Sequence, residues 1–304
     1  MTDASILILT KNGGADFRVC LGEVRAQAGI DRAEIIVVDS GSTDGTVEFA
    51  RSLGARVERI APQAFHHART RNLAARMAAG AVLVFLSQDA IPASAHWLDT
   101  IIANFTDPGV GAVYGKQLPR PGASLERHEV FDTIYGDQRI IKDPASRNGL
   151  GYRFYHFSDV NSAIRRSTWQ STQFPEDLRV FEDLGIAKRI LDAGWKIVYE
   201  PEACVFHSHH HTTTALFKRY FDIGYTLKRL QIWDAPGTQS SMLRDGWRLF
   251  RNKLRNITQR QAKGGAPAAL GQHIAKSAGL FLGLNQHHLP YAVKRRLSAN
   301  HVYE

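Results

Sequence analysis

Short uninterrupted apolar runs alternate with amphipathic stretches through the first ninety or so positions. Ser5 to Thr10 (SILILT), Glu34 to Asp39 (EIIVVD) and Ala81 to Leu86 (AVLVFL) read as strands buried on both faces. Ala55 to Ile60 is a weaker strand. Between these runs, Phe17 to Gln27, Thr46 to Leu53 and Ala68 to Ala79 read as helices. Ser42-Thr43-Asp44-Gly45 offers capping residues before the second helix, and Gly80 stops the third. Strands spaced by helices predict βαβ units and a mainly parallel sheet with covered faces. Ligands of such sheets sit beyond the carboxyl ends of the strands. Thr10, Asp39 and Asp89 fall at or just past three such ends, which points to a nucleotide site.

From about residue 115 to 175 the pattern turns irregular and aromatic. A helix from Glu182 to Ala193 and a strand from Lys196 to Tyr199 follow. After about His211 the composition shifts to basic, helical stretches, at 217–230, 244–263 and 291–297. The expected organisation is α/β. Residues 1–212 are expected to form one domain, with a half over 1–115 whose strand ends point to a nucleotide and a second half over 116–212. Residues 213–304 form a basic, mostly helical C-terminal extension. In 216–230, Phe217, Tyr220, Phe221 and Leu227 lie among Lys218, Arg219, Lys228 and Arg229. That mixture suits either an interfacial helix on anionic lipid or a helix packed on the catalytic lobe with a solvated basic edge.

Composition narrows the class. With 304 residues, 44% of them hydrophobic, the chain can bury one sizeable core plus an appendage. Two cysteines, Cys20 and Cys204, exclude a disulfide framework and a Cys-based zinc site, and suggest the reducing cytoplasm. Ile6 to Leu9 is too short for a signal peptide, and no run approaches the ~18 apolar residues of a membrane span. A net charge of +9 suits nucleic acid, anionic lipid or a phosphorylated substrate without choosing among them.

Several familiar motifs are missing. Gly115-Lys116 is followed by Gln117 rather than Ser or Thr, and Val110 stands where the first glycine of a P-loop is needed, so there is no P-loop; no G-x-G-x-x-G follows a strand. His128-Glu129 meets Asp132 where a metalloprotease helix needs histidine, and there is no G-x-S-x-G. The positive signals are carboxylates and histidines at the ends of apolar runs. Asp39, followed by Ser40-Gly41-Ser42-Thr43-Asp44, can accept from a pyrimidine N3–H or ribose hydroxyls, although a capped strand–turn–helix explains the same residues. Arg69 and Arg71 open a helix where cations oppose the dipole, so they answer a local anion such as a diphosphate, or else a solvated face. Asp89 could hold a hard divalent cation, with phosphate and water completing the shell. Glu182-Asp183 starts a helix, where acids also suit the dipole. His207, His209, His210 and His211 follow the run ending at Phe206, and a neutral imidazole there could complete a metal's coordination, with His207 first in line.

Taken in order, these segments resemble family 2 glycosyltransferases with the GT-A fold. Thr10-Lys11-Asn12 resembles the first strand end, Ile36 to Asp44 the nucleotide signature, Ala68-Arg69-Thr70-Arg71-Asn72 the "RN" helix, and Phe181-Glu182-Asp183 the catalytic carboxylate motif. The likeness spans roughly residues 4–212. More narrowly, Phe65 to Asn72, Ser87 to Pro92, Tyr114 to Pro119 and Phe157 to Ala163 are similar to bacterial rhamnosyltransferases of that family. Ser87 stands where many members have the first acid of a D-x-D.

The resemblance implies inverting transfer of a sugar, with dTDP-L-rhamnose as donor, to a saccharide or lipid-linked saccharide in bacterial surface polysaccharide synthesis. Asp183, seconded by Glu182, would be the catalytic base. Thr10, Asn12, Asp39, Ser42, Arg71, Ser87 and Gln88 would surround the donor nucleotide. Asp89 and His207 would hold a divalent metal, Mg or Mn. Tyr152, Phe154, Tyr155, Asp159 and Asn161 would meet the acceptor. The enzyme would be cytoplasmic, either free or peripheral at the inner face of the cell membrane. Competing readings are a UDP-sugar transferase, a catalytically inactive sugar-nucleotide binder, and a basic nucleic-acid-binding protein, for which no recognition motif is seen.

Overall fold

The computed structural model describes residues 3–121, 134–207, 211–259 and 265–299. Of its first four strands, β1 (Ala4–Thr10), β2 (Ala33–Asp39) and β4 (Val82–Ser87) lie on the apolar runs, and β3 (Arg56–Arg59) is a polar, mostly exposed strand within the weaker segment. They run parallel in the order β3-β2-β1-β4. Helices α1 (Gly14–Arg25), α2 (Thr46–Ser52) and α3 (His67–Met77) make the crossovers. Ile6 and Ile8 face Phe17, Leu21 and Val24 of α1, while Leu7 faces the layer of Ala68, Ala74 and Ala75 of α3. Side chains alternate across a strand, so a block apolar at every position is buried on both sides. Each such side chain contributes roughly 1.5–3 kcal/mol. Gly80 sits where a Cβ would lie 2.4 Å from the Ala4 carbonyl carbon, so only glycine lets α3 return to β4 so close to β1.

Past β4 the chain forms β5 (Ile91–Pro92), α4 (Trp97–Ala103), β6 (Val110–Leu118), β7 (Ile140–Lys142), β8 (Asn161–Arg165), α5 (Arg166–Thr172), α6 (Glu182–Asp192) and β9 (Lys196–Phe206). One-turn helices at Arg147–Leu150 and Tyr152–Tyr155 precede β8. β8 enters antiparallel between β4 and β6, β9 runs parallel to β6, and β5 and β7 pair antiparallel with β9. The sheet is therefore parallel in its first half and mixed in its second. The strand expected at Lys196–Tyr199 runs on through Phe206, which delivers His207 to the carboxyl edge. β8 and the end of β6 lie in the stretch that reads as irregular, where Gly115, Lys116 and Gln117 interrupt the apolar run of β6. Gly115 has a packing reason: a Cβ there would lie 2.0 Å from the Ala203 carbonyl oxygen of β9.

The extension consists of α7 (Thr213–Arg229), α8 (Thr238–Gln259), α9 (Gly265–Leu284) and α10 (Tyr291–Leu297). α7 and α9 cross in close contact. A Cβ on Gly283 would lie 2.0 Å from the Phe221 carbonyl oxygen, and one on Gly224 would lie 2.4 Å from that of Leu280. Leu227, Ile232 and Leu284 join the core cluster that contains Leu7 and Phe85. Of the two readings of residues 216–230, the packed helix holds, since Phe221 and Leu227 are completely buried. Among the described residues, no helix is long and apolar enough to cross a membrane.

Candidate active site

The carboxyl ends of β1 and β2 carry two loops stitched together side chain to backbone. Asn12 N–H donates to Ser42 Oγ (2.7 Å), Thr43 N–H to Asn12 Oδ1 (2.9 Å) and Gly13 N–H to Thr46 Oγ1 (3.0 Å). Asp39 is fully buried and accepts from Gly41 N–H and Ser42 N–H, each at 3.0 Å. Its first task is therefore to fold the turn. Asn12 itself adopts a left-handed φ of 46°, a region that asparagine tolerates better than most residues, and its side-chain oxygen is held by Thr43. Thr10 pairs with Asp39 across the strands and donates to Gln88 Oε1 at 2.7 Å, which joins this rim to the end of β4. Ser87 closes a tight turn by accepting from Ala90 N–H at 3.0 Å, and Asp89 rides on that turn. Thr10, Asn12, Asp39, Ser42, Ser87 and Gln88 thus share one edge.

β5 and β9 bring Asp89 and His207 together. Ile91 pairs with Phe206, so the residues just outside that pair meet, and His207 Nε2 lies 3.7 Å from Asp89 Oδ1. Arg120 holds the turn by donating to the Asp89 carbonyl at 2.9 Å. The register of β6 with β9 sets Gln117 beside His207, with Nδ1 3.0 Å from Gln117 Oε1. The Gln117 amide is oriented by its other end, which donates to the Tyr135 hydroxyl (2.6 Å) and to Ser158 Oγ (2.9 Å). Its oxygen must face the ring, so we assign the hydrogen to Nδ1, and Nε2 presents a lone pair toward the Asp89 carboxylate. Two acceptors facing one another fit a cation between them. One carboxylate oxygen and one imidazole nitrogen suit a divalent cation. Among the described residues no third His, Cys, Asp or Glu joins them, so diphosphate and water would supply the remaining ligands. His211 is exposed, and His209 and His210 lie outside the described residues.

The second cluster surrounds the start of α6. Phe181 takes a left-handed φ of 56°, a strained conformation for a phenylalanine, with the Arg219 guanidinium of α7 5.4 Å above its ring. That kink turns Glu182 inward and leaves Asp183 half-buried. Arg71 lies 2.5 Å from Glu182 Oε1 and 2.7 Å from Asp159 Oδ2. Three carboxyls thus share the neighbourhood of one buried guanidinium. Burial, then the charge of Asp159, raises Asp183 above the usual carboxylate range. Burial likewise raises Glu182 and Asp159 against the opposing pull of Arg71. A half-buried carboxyl of raised basicity is poised to take a proton near neutrality.

Several expectations change here. Arg71 was expected at the donor diphosphate, but its guanidinium is held by Glu182 and Asp159, so its charge acts on the carboxylates. Asn161 was expected at the acceptor and is instead a framework residue. It is completely buried, with its Oδ1 accepting from Trp97 Nε1 (2.9 Å) and its Nδ2 donating to the Ala203 carbonyl (2.8 Å). Phe154 and Tyr155 belong to the core. Tyr152 is partly buried against the core cluster, and burial, then the charge of Asp183, raises its hydroxyl.

Sequence reasoning named no role for Gln117, Tyr135 or Arg219. Gln117 lay inside the rhamnosyltransferase-like stretch Tyr114 to Pro119, which was a usable signal; Tyr135 and Arg219 stood in no motif. Gln117 joins His207 to Tyr135, and Arg219 lies over Phe181 beside the second cluster. From Asp89 and His207 the contacts run through Gln117 to Tyr135, whose hydroxyl feels the charges of Asp183 and Arg219.

A nucleotide rim, a carboxylate–imidazole pair and a basic carboxyl at one edge of a half-parallel sheet describe a sugar-nucleotide transferase. The sequence profile of Glycosyl transferase family 2 matches residues 5–170, and the chain belongs to that family, with its GT-A fold. It is 32% identical over 305 residues to the O-antigen chain rhamnosyltransferase RfbN of Salmonella typhimurium, covering 98% of this chain and 95% of that one. To the O-antigen chain rhamnosyltransferase WbaN of Salmonella anatum it is 33% identical over 276 residues, covering 89% and 86%. Among solved structures, mannosyltransferase PcManGT from Pyrobaculum calidifontis, in complex with GDP-Man and Mn2+, matches with a TM-score of 0.57 and 20% identity, over 98% of this chain and 84% of that one.

Proposed function

We propose that this glycosyltransferase moves L-rhamnose from dTDP-L-rhamnose to a saccharide or lipid-linked saccharide during bacterial surface polysaccharide synthesis, with inversion. The observation that carries the reading is that the chain holds two unlike sites, the first oriented by Gln117. One is a carboxylate–imidazole pair suited to a metal diphosphate, and the other is a carboxyl of raised basicity. The rhamnosyl assignment follows the two full-length relatives.

In the proposed step the acceptor hydroxyl attacks the anomeric carbon as the bond to the diphosphate breaks on the opposite face. Asp183 takes the hydroxyl proton, a role worth roughly 10²–10⁴-fold. A divalent ion at Asp89 and His207 would supply Lewis-acid stabilisation to the leaving diphosphate. Asp39, Thr10 and the stitched loops hold the base and ribose. Arg71 keeps the three carboxyls from repelling the fold apart, and Arg219 tempers Asp183. Tyr152 and Asp159 flank the acceptor side. An acceptor built on a membrane lipid would place the enzyme at the inner face of the cell membrane.

A donor panel tests this. dTDP-L-rhamnose, UDP-sugars and GDP-sugars are offered with Mn2+ and a rhamnose-containing acceptor. Transfer from dTDP-L-rhamnose alone, giving the opposite anomer by NMR, is expected. Turnover confined to a UDP-sugar would overturn the donor assignment.

A further inference from the structure

The outer face of the extension carries apolar side chains in register with arginines. In α8, Leu243 and Trp247 are 67% and 60% exposed, and their spacing of four places them on one face, which Phe250 and Leu254 continue. Each of these four is followed directly by an arginine: Arg244, Arg248, Arg251 and Arg255. The only acid in that helix, Asp245, is paired with Arg153 and Arg248. In α9, Leu270, Ile274 and Phe281 are 47%, 56% and 64% exposed, and their spacing forms a second stripe. It is turned away from Gly279 and Gly283, which face α7. The stripes join where Phe250 stacks on His273 at 4.3 Å, with Trp247 5.7 Å from Phe250. α10 adds exposed Tyr291 and Val293 beside Lys294, Arg295 and Arg296.

Single exposed apolar residues are ordinary, but a continuous patch edged by cations marks a contact surface. Its charge selects the occupant. A second copy docking on the same face by twofold symmetry would bring arginine rows against each other. An anionic bilayer satisfies both features, with apolar side chains entering the acyl boundary and guanidiniums meeting headgroup phosphates.

We propose that the α8–α9 face docks on anionic lipid. The expected interfacial segment at 216–230 is thereby replaced by its two neighbours, which α7 supports from beneath. The face is mechanically tied to the pocket. Tyr152 N–H donates to Ser241 Oγ of α8 at 2.9 Å, and Arg153 pairs with Asp245 at 3.5 Å. Docking would therefore hold the Tyr152 side of the pocket near the membrane. That benefit rests on the reading of a lipid-linked acceptor, whereas the docking itself does not.

Flotation of the full chain with phosphatidylglycerol-containing vesicles, and with pure phosphatidylcholine vesicles, tests the proposal. Wild type should float with the anionic vesicles and stay behind with the neutral ones. The double variants Trp247→Glu/Ile274→Glu and Arg244→Glu/Arg251→Glu should each lose at least tenfold in partition. Both alter exposed positions, and unchanged melting and transfer to a soluble acceptor would show them folded and competent. A wild type that ignores anionic vesicles, or variants that partition like wild type, would overturn lipid docking. So would a concentration-dependent dimer that Trp247→Glu abolishes without any vesicle binding. Loss of transfer in wild type would instead count against the transferase reading, so the two failures are distinguishable.

Discussion

Gln117 Oε1 stands 3.0 Å from His207 Nδ1, while the same amide's nitrogen donates to the Tyr135 hydroxyl at 2.6 Å. One side chain thereby fixes the tautomer of the proposed metal ligand and ties it to the buried Tyr135. Gln117→Leu keeps the volume and removes both bonds. Partners of this kind are worth roughly 10–100-fold in metal affinity. Mn2+ titrated calorimetrically in the presence of dTDP should bind the variant more weakly by that factor. Unchanged affinity would mean that His207 does not depend on Gln117 for its orientation.

The pH profile follows from Asp183. A general base must be ionised to act, so activity falls as pH drops through its folded pKa. Burial and Asp159 raise that pKa. The acid limb of kcat/KM should therefore have its midpoint well above the ordinary aspartate value of about 3.9. Asp183→Asn should abolish transfer and leave donor binding intact. An acid limb near the ordinary value, or a variant that turns over, would remove Asp183 from the role.

The same shifts have a consequence for stability. Glu182 and Asp183 are both raised on folding. The folded chain therefore holds more protons than the unfolded chain between the ordinary carboxylate range and the raised values. Stability from these groups is fully present below the unfolded pKa and is lost as pH rises through the folded one. Asp183→Asn cannot ionise. Its melting temperature relative to wild type should climb between pH 5 and pH 8 on this argument, and a flat difference in differential scanning fluorimetry would refute it.

Arg71 is the countercharge for this cluster. With its side chain only 10% exposed, it is the ion-pair partner of both Glu182 and Asp159. Breaking a buried ion pair by removing one partner typically costs about 3–5 kcal/mol, because the other charge is left uncompensated. Arg71→Met should lose stability on that scale in urea titrations at pH 8, and less at pH 5, where protonation relieves the carboxyls. Equal losses at both pH values would show that Arg71 acts by packing alone.

Much of this arrangement was legible along the chain, and the remainder was hidden for physical reasons. β1, β2 and β4 announce themselves because strands buried on both faces are apolar at every position. Their carboxyl ends then locate Thr10, Asp39 and Asp89. β6 and β8 are hidden because they cross close to β9, where Gly115 and the polar amides of Gln117 and Asn161 replace apolar residues. Arg71 was visible as a cation misplaced at a helix start, yet its anion proved to be Glu182 and Asp159, 111 and 88 positions away in the chain. Pairing of that range has no local signature. The basic, aromatic character of 216–230 was equally plain, but only packing tells which of several such helices is covered.

Asn161 allows the framework to be separated from the acceptor site. Its amide sits where β6, β8 and β9 converge, bonded to the Trp97 indole and the Ala203 carbonyl. Asn161→Ala leaves both partners buried and unsatisfied, at a cost of about 1–3 kcal/mol. For a chain of this size that corresponds to a fall of several degrees in melting temperature. Below the transition, KM for the acceptor should stay within about twofold of wild type, because both ends of the buried amide are already bonded within the framework. Tyr152→Phe, on the pocket side, should show the reverse, with melting nearly unchanged and acceptor KM raised. If Asn161→Ala raised acceptor KM without lowering the melting temperature, the amide would have to reach the substrate after all.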